Sequence, residues 1–352
     1  MEHKNIRIKD IAKKAGVSEG TVDRVLHNRG KVSQVASEKV KLVLSELNYT
    51  PNLLARTLGS KKNYRFAIVI PDPQFDPYWE QSYQGIMQAE SELAQFGITL
   101  SIDYFFYNLL NKVTFHNAFQ NAYHAKPDGV LIAPLYYYST IPLFKELKES
   151  GIPCVLFNTF IKDAYGLSFV GQNSLQSGKL AAELISMGQC SESVFAILHI
   201  EEDLNNSIHL TEKEQGFNDY FDTLNLKGTY LTKTFSICAP DQSGFQKQVD
   251  EVLQTTNLTG IFVSTSKIYA IARELEKRKL NIRLIGYDLL EENLEYLRKG
   301  YISFLIHQNP RRQAKLGIRS LANYLLFDKI PPKLNLFPLE IISRHNIDSY
   351  VN

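Results

Sequence analysis

The stretch Ala15-Gly16-Val17-Ser18-Glu19-Gly20-Thr21-Val22-Asp23-Arg24-Val25-Leu26 decides how this 352-residue chain is organised. Gly16 suits a tight turn between helices, because it accepts positive φ at little cost. Ser18 is placed to cap the next helix, its hydroxyl satisfying a backbone N–H of the first turn. Val22, Val25 and Leu26 share one helical face and pack inward, which leaves Glu19, Gly20, Asp23 and Arg24 on the opposite face. Upstream, Ile8, Ile11, Ala12 and Ala15 mark one face of a helix over 6–15. Downstream, Gly30 lies in the region that stops the second helix, and Ser33 caps a third over 34–47 with Val40, Val43, Leu44 and Leu47 inside. Three short helices around these aliphatics read as a helix-turn-helix head, whose second helix can enter a DNA groove.

Charge is divided along the chain. Overall the net charge is +2, but residues 1–62 carry 13 Lys and Arg against 6 acids, a net +7, and the rest carries −5. A basic head on an acidic body points to a polyanion partner for the head alone; a solvated basic surface is the plain alternative. Cys154, Cys190 and Cys238 are far apart and form no CxxC, which fits reduced thiols. The N-terminus has no apolar signal core and no apolar run is long enough for a bilayer, so a cytoplasmic protein is expected. There is no GxSxG, Walker loop, GxGxxG or metal-spaced His/Cys cluster, so no enzyme activity, cofactor or metal is expected.

After the head, Pro51 sits where a helix first turn tolerates it, and a short helix over 52–58 is marginal on its own. It would form when paired with a twin or laid in a DNA groove. Residues 59–64 read as a polar linker. From Arg65 onward strands and helices alternate. Strands are predicted over 66–70, 99–104, 129–132 and 154–157, then over 169–170, 194–199, 229–235, 260–263, 283–286 and 302–306, with a last strand over 336–342. Short connections between strands and helices predict an α/β fold of two doubly wound parallel-sheet lobes, with ligands bound at the carboxyl ends of the strands.

Lys9-Asp10-Ile11-Ala12, Ala15-Gly16-Val17-Ser18, Thr21-Val22, Arg24-Val25 and Leu47-Asn48-Tyr49-x-Pro51-Asn52 together resemble the DNA-binding head of the lactose-repressor (LacI/GalR) family. The body is similar to the type I periplasmic sugar-binding fold that this family carries. The resemblance implies a homodimeric, ligand-responsive transcription regulator, a repressor released by a small sugar-like effector. A solute-binding protein of a transport system is the alternative, with an enzyme on the same scaffold behind it. The implied division is a head at 1–50, a hinge helix and linker at 51–64, and a ligand-binding and dimerisation domain at 65–352. Within that domain lobe 1 takes 65–158 and 290–327, and lobe 2 takes 159–289 and 328–352. Two heads would read a pseudo-palindromic operator in the major groove. Hinge residues Asn52, Ala55 and Leu58 would enter the minor groove, with Leu58 as the wedge that unstacks a base step. No leucine heptad follows the last strand, so a dimer without a tetramerising helix is expected.

Arg24 offers a bidentate guanine contact, or a surface ion pair with Asp23 or Glu19. Glu19 can accept from a cytosine amine, or simply favour the helix N-terminus; Gly20 lets the backbone approach closely. Asp23 either repels phosphate or orients Arg24. Ser18, Thr21, Arg7, Lys31 and Ser33 read as phosphate contacts. In the body, Asp76, Tyr78 and Trp79 follow a loop with three prolines; aromatics beside a carboxylate suit a polyol, or merely cover the next helix. By the resemblance, Asp288 and Gln308 match ligand-binding positions, and Lys213 stands where relatives often carry arginine. Asn158 and Thr159 replace a frequent Asp-Arg pair, and Thr265 and Ser266 a frequent Asn-Asp pair, which points away from a simple pentose or hexose. Tyr136, with Tyr137 and Tyr138, adds aromatic surface near the cleft mouth or packs its rim.

Overall fold

The computed structural model describes residues 8–26, 30, 32–47, 63–162, 164–190, 192–201, 207–224, 226, 229–239 and 241–350. Arg7, Lys31, Asn52, Ala55 and Leu58 therefore lie outside the described residues. The chain divides into two compact units, residues 1–62 and 63–352.

The first unit contains α1 (Ile8–Ala15), α2 (Glu19–Leu26) and α3 (Gln34–Glu46). Ile11, Ala12, Ala15, Val22, Val40 and Val43 meet in one small core. Gly16 turns the chain at φ +65°. Ser18 caps α2, its Oγ accepting from the Thr21 N–H at 3.2 Å, and Ser33 caps α3 through the Ala36 N–H at 3.4 Å. Each cap satisfies a donor that the first helical turn cannot pair internally.

The second unit alternates strands and helices in two lobes. In chain order the elements are β1 (Tyr64–Pro71), α4 (Pro77–Gln95), β2 (Leu100–Tyr107), α5 (Lys112–His124), β3 (Gly129–Ile132), α6 (Tyr137–Glu149), β4 (Cys154–Phe157) and β5 (Ser168–Gly171). They continue with α7 (Ser174–Ser186), β6 (Val194–Ile200), α8 (Ile208–Thr223), β7 (Leu231–Ile237), α9 (Gln242–Leu253), β8 (Leu258–Val263), α10 (Ile268–Arg278), β9 (Arg283–Tyr287) and α11 (Glu291–Lys299). Last come β10 (Phe304–His307), α12 (Pro310–Phe327), β11 (Leu334–Leu336) and β12 (Glu340–Ile342). One sheet runs β11-β5-β4-β3-β1-β2 and the other β12-β10-β9-β8-β6-β7. All pairs are parallel except β10 with β12. The α/β architecture with two doubly wound sheets is the one expected.

The lobe boundaries differ from expectation. β5 pairs with β4 and so belongs to lobe 1; β10 pairs with β9 and belongs to lobe 2. The single strand expected over 336–342 is two strands, β11 in lobe 1 and β12 in lobe 2. Chain order cannot say which sheet a short buried strand joins, because both sheets demand the same continuous apolar run. The chain thus crosses between lobes after β5, after β10 and after β11. Gln172 ties the three crossings together: its Nε2 donates to the His307 carbonyl at 2.8 Å and the Pro338 carbonyl at 2.7 Å.

Helix crossings are tight where the cleft is shaped. A Cβ on Gly178 would lie 1.9 Å from the Lys213 carbonyl oxygen, and one on Gly216 the same distance from that of Leu175. α7 and α8 therefore touch backbone to backbone, which sets the depth at which Lys213 enters the cleft.

Candidate functional site: a recognition face and an interlobe cleft

On α2 the residues Glu19, Gly20, Asp23 and Arg24 are exposed, while Val22 is buried in the head core. Ser18 Oγ and Thr21 Oγ1 lie 2.9 Å apart at the start of the helix. α2 thus presents two acids, a glycine and one arginine on the face opposite its core.

In the second unit, Asp76, Tyr78, Trp79, Leu135 and Asn158 from lobe 1 face His209, Lys213, Ser264, Thr265, Ser266, Lys267 and Gln308 from lobe 2. The space they enclose is about 30 Å³. That volume holds water rather than a sugar, since ligand cavities generally start near ~300 Å³. Ligand entry requires the lobes to part. Two contacts resist this: Gln81 Nε2 donates to the Leu289 carbonyl at 3.4 Å, and Leu290 is buried in the core of lobe 1.

The strand ends aim these side chains. Asn158 and Asp288 each follow a strand directly and adopt φ +68°. Their backbone N–H groups complete the ladder, on Val170 O at 3.0 Å and Ile306 O at 3.2 Å. The chain then turns in a conformation that Asn and Asp tolerate better than most residues. Asn158 Nδ2 donates to the Tyr78 hydroxyl at 2.5 Å, and its N–H donates to Gln313 Oε1 at 3.1 Å. Gln313 Nε2 in turn donates to the Gln308 carbonyl at 2.7 Å. Asp76 caps α4 by accepting from the Tyr78 N–H at 2.9 Å.

Lobe 2 supplies the positive charge. Lys213 is 4% exposed, donates to the Ser264 carbonyl at 2.9 Å, and lies 3.7 Å from the centre of the Tyr287 ring. Tyr287 is fully buried, which holds its hydroxyl well above the ordinary range, and it hydrogen-bonds Ser177 at 2.5 Å. Beneath the cleft, His199 Nδ1 lies 2.8 Å from Ser264 Oγ and Nε2 3.1 Å from Glu214 Oε2. The hydrogen bond with His199 holds the Glu214 carboxyl below the usual carboxylate range, against the opposing effect of burial.

Eight residues singled out in the sequence, Asp76, Tyr78, Trp79, Asn158, Lys213, Thr265, Ser266 and Gln308, come together around this cleft. Two do not. Asp288 is 0% exposed, and its carboxylate accepts from Gln308 N at 2.9 Å and Gln308 Nε2 at 2.6 Å. Each of its oxygens accepts from Gln308, so in this structure it holds a lining residue and is not itself among the residues that line the cleft. Tyr136 donates to the Leu109 carbonyl at 2.5 Å and packs against Tyr107 and Phe115, inside lobe 1. Leu135, His209, Ser264 and Lys267 line the cleft without having been singled out. The signal was present for most of them. Leu135 and residues 264–267 follow strands β3 and β8, and His209 lies one helical turn before Lys213.

A helix-turn-helix unit joined to two α/β lobes around a polar cleft defines a DNA-binding regulator with a ligand domain. Residues 7–52 match the model of bacterial regulatory proteins of the lacI family, and residues 66–329 match the periplasmic binding protein domain. The chain is 25% identical over 306 residues to the transcriptional regulator MalR of Streptococcus pneumoniae, covering 82% of this chain and 85% of that one. It is 27% identical to the ribose operon repressor of Lactococcus lactis, covering 80% of each. A protein from Bacteroides fragilis, solved as a candidate LacI transcriptional regulator, superposes with a TM-score of 0.74 at 30% identity, over 82% of this chain and all of that one. The chain belongs to the LacI family and is a ligand-responsive, DNA-binding transcriptional regulator. No helix among the described residues is long and apolar enough to cross a membrane.

Proposed function

We propose that the protein is a homodimeric repressor released from a pseudo-palindromic operator by a small carbohydrate bound between its lobes. The observation that carries this reading is the cleft lining itself. Tyr78 and Trp79 offer ring surface beside the Asp76 carboxylate, opposite amide, hydroxyl and ammonium groups. Rings suit the apolar face of a sugar, and the polar groups suit its hydroxyls. The relatives named as ribose operon repressors support the ligand class. The three crossings between lobes supply a hinge on which a ligand can act.

Each head would read a half-site through Arg24, with Glu19, Gly20 and Asp23 beside it and Ser18, Thr21 and Ser33 on phosphates. Arg7 and Lys31 are assigned to phosphates, and Asn52, Ala55 and Leu58 to the minor groove, on sequence grounds alone. Lobe 1 offers a face for the second copy. Tyr83, Tyr104 and Phe106 stack along α4 and the edge strand β2, with ring centres 5.0 and 5.6 Å apart, and Met87 and Phe106 are exposed beside them. The buried Tyr104 hydroxyl has no hydrogen-bond partner.

The test is footprinting of the full chain on DNA upstream of its own gene, with and without a sugar panel. A protected palindrome that a sugar releases supports the reading; no protected site at low salt overturns it. Binding should weaken steeply with salt, because phosphate contacts release counterions. Arg24→Ala should cost specific binding about 1–3 kcal/mol. Leu58→Ala should weaken specific but not non-specific binding; equal loss of both removes the wedge role. Phe106→Lys should shift sedimentation toward the monomer.

A further inference from the structure

A second cavity, of about 290 Å³, lies at the carboxyl ends of β6 and β7 in lobe 2. Its walls include Glu201, Asp241, Phe245, Lys267, Tyr269 and Arg273. Lys267 is a wall of the interlobe cleft as well, so one residue borders both spaces. That ammonium is ion-paired with Glu201.

Two observations mark this wall as more than packing. Glu201 adopts φ +55° directly after β6. The same turn after β4 and β9 is made by Asn and Asp, which tolerate it; a glutamate gains nothing from it locally. The turn delivers the Glu201 carboxylate to Lys267. Tyr269, next along this wall, packs against the cores of both lobes. Burial holds its hydroxyl above the ordinary range; the Lys267 ammonium opposes this, and the Glu292, Asp76 and Glu201 carboxylates add to it. Tyr269 therefore sits within electrostatic reach of a carboxylate in each space. The second cavity combines two rings, three carboxylates (Glu201, Asp241 and the buried Glu274), an ammonium and a guanidinium around about 290 Å³. That is again the chemistry of a carbohydrate wall.

We propose that the second cavity is a subsite for a further sugar unit, so that the effector is a glycoside of at least two rings with the Lys267–Glu201 pair against the linkage. The proposal rests on the carbohydrate reading of the cleft and extends it. A ligand bridging the two spaces would touch Tyr269 and so act directly on the contact between lobes.

The experiment is calorimetry and Trp79 fluorescence on the full chain. Glucose, galactose and xylose are set against maltose, cellobiose, trehalose, lactose and xylobiose. At least one disaccharide should bind ten or more times tighter than its component sugars. Phe245→Ala and Glu201→Asn should reduce that advantage to less than twofold; asparagine keeps the turn and removes the pair. Thermal melts confirm that both variants fold. A monosaccharide that binds as tightly as every disaccharide, or an advantage that survives both variants, overturns the subsite and leaves the carbohydrate reading standing. If no sugar binds while operator binding persists, both fall.

Discussion

Lobe 1 meets the cleft with Asp76, Tyr78, Trp79, Leu135 and Asn158, whereas lobe 2 meets it with His209, Lys213, Gln308 and residues 264–267. The first wall is mostly ring and aliphatic surface. Its aromatic members belong to the lobe 1 core, with Trp79 edge-on to Tyr78 and Phe157 at 5.0 and 6.0 Å. The second wall is mostly polar, and the Lys213 ammonium group is held by a carbonyl and a ring. A wall made of core residues cannot be altered without cost to the fold. A wall made of polar groups on strand ends can vary its partners while the sheet beneath stays the same. On the proposed carbohydrate reading, the difference gives stability and shape to lobe 1 and discrimination between ligands to lobe 2.

The largest effect should come from Trp79→Ala. The side chain is 3% exposed, so its loss should cost about 4 kcal/mol, read as a lower denaturant midpoint. A change below about 1 kcal/mol would mean that the lobe 1 wall is not core. Gly216→Val should cost about 3 kcal/mol, because the added atoms meet the Leu175 carbonyl and must push α7 from α8. Lys213→Met reverses the pattern. A methionine of similar length can fill the site, so stability should move by no more than about 1 kcal/mol. Affinity for the tightest sugar of the panel should nevertheless fall at least tenfold. A large stability loss without that affinity loss would make Lys213 a structural group and erase the contrast between the walls.

Acid should act on lobe 2 through Glu214. Its folded-state pKa is depressed, so its contribution is present above the unfolded carboxylate value and is lost as pH falls through the folded one. Glu214→Gln should therefore flatten the loss of stability below the usual carboxylate range in pH-dependent melts, with little effect at pH 7 on the slope. The smallest effect belongs to Phe75→Ala. This ring lies in the proline-rich loop beside the lobe 1 wall but is 82% exposed, so the change should stay within about 0.5 kcal/mol. A larger loss would extend that wall outward.

The head was legible almost residue by residue. Gly16, Ser18, Val22 and Ser33 act on neighbours within a few positions, so spacing alone reveals them. The lobe 1 wall was legible for a related reason: Asp76, Tyr78 and Trp79 are contiguous. Lobe 2 was harder. Lys213, Thr265 and Gln308 were reached one at a time through resemblance, and Lys267 and His209 were missed, because their proximity depends on several strand ends converging. Asp288 was read as a cleft residue since its sequence position is right; only its hydrogen bonds show that both oxygens are directed to Gln308.

Local patterning by itself determined the three-helix head, the βα alternation and the basic-head, acidic-body division, because each follows from spacing or composition along the chain. Tertiary structure alone decided where the chain crosses between lobes, which strand joins which sheet, and which polar groups face the cleft. β5, β10 and β11 carry no local mark of their sheet. Their membership is set by which neighbour completes their ladder, and that neighbour is chosen only when the whole lobe packs.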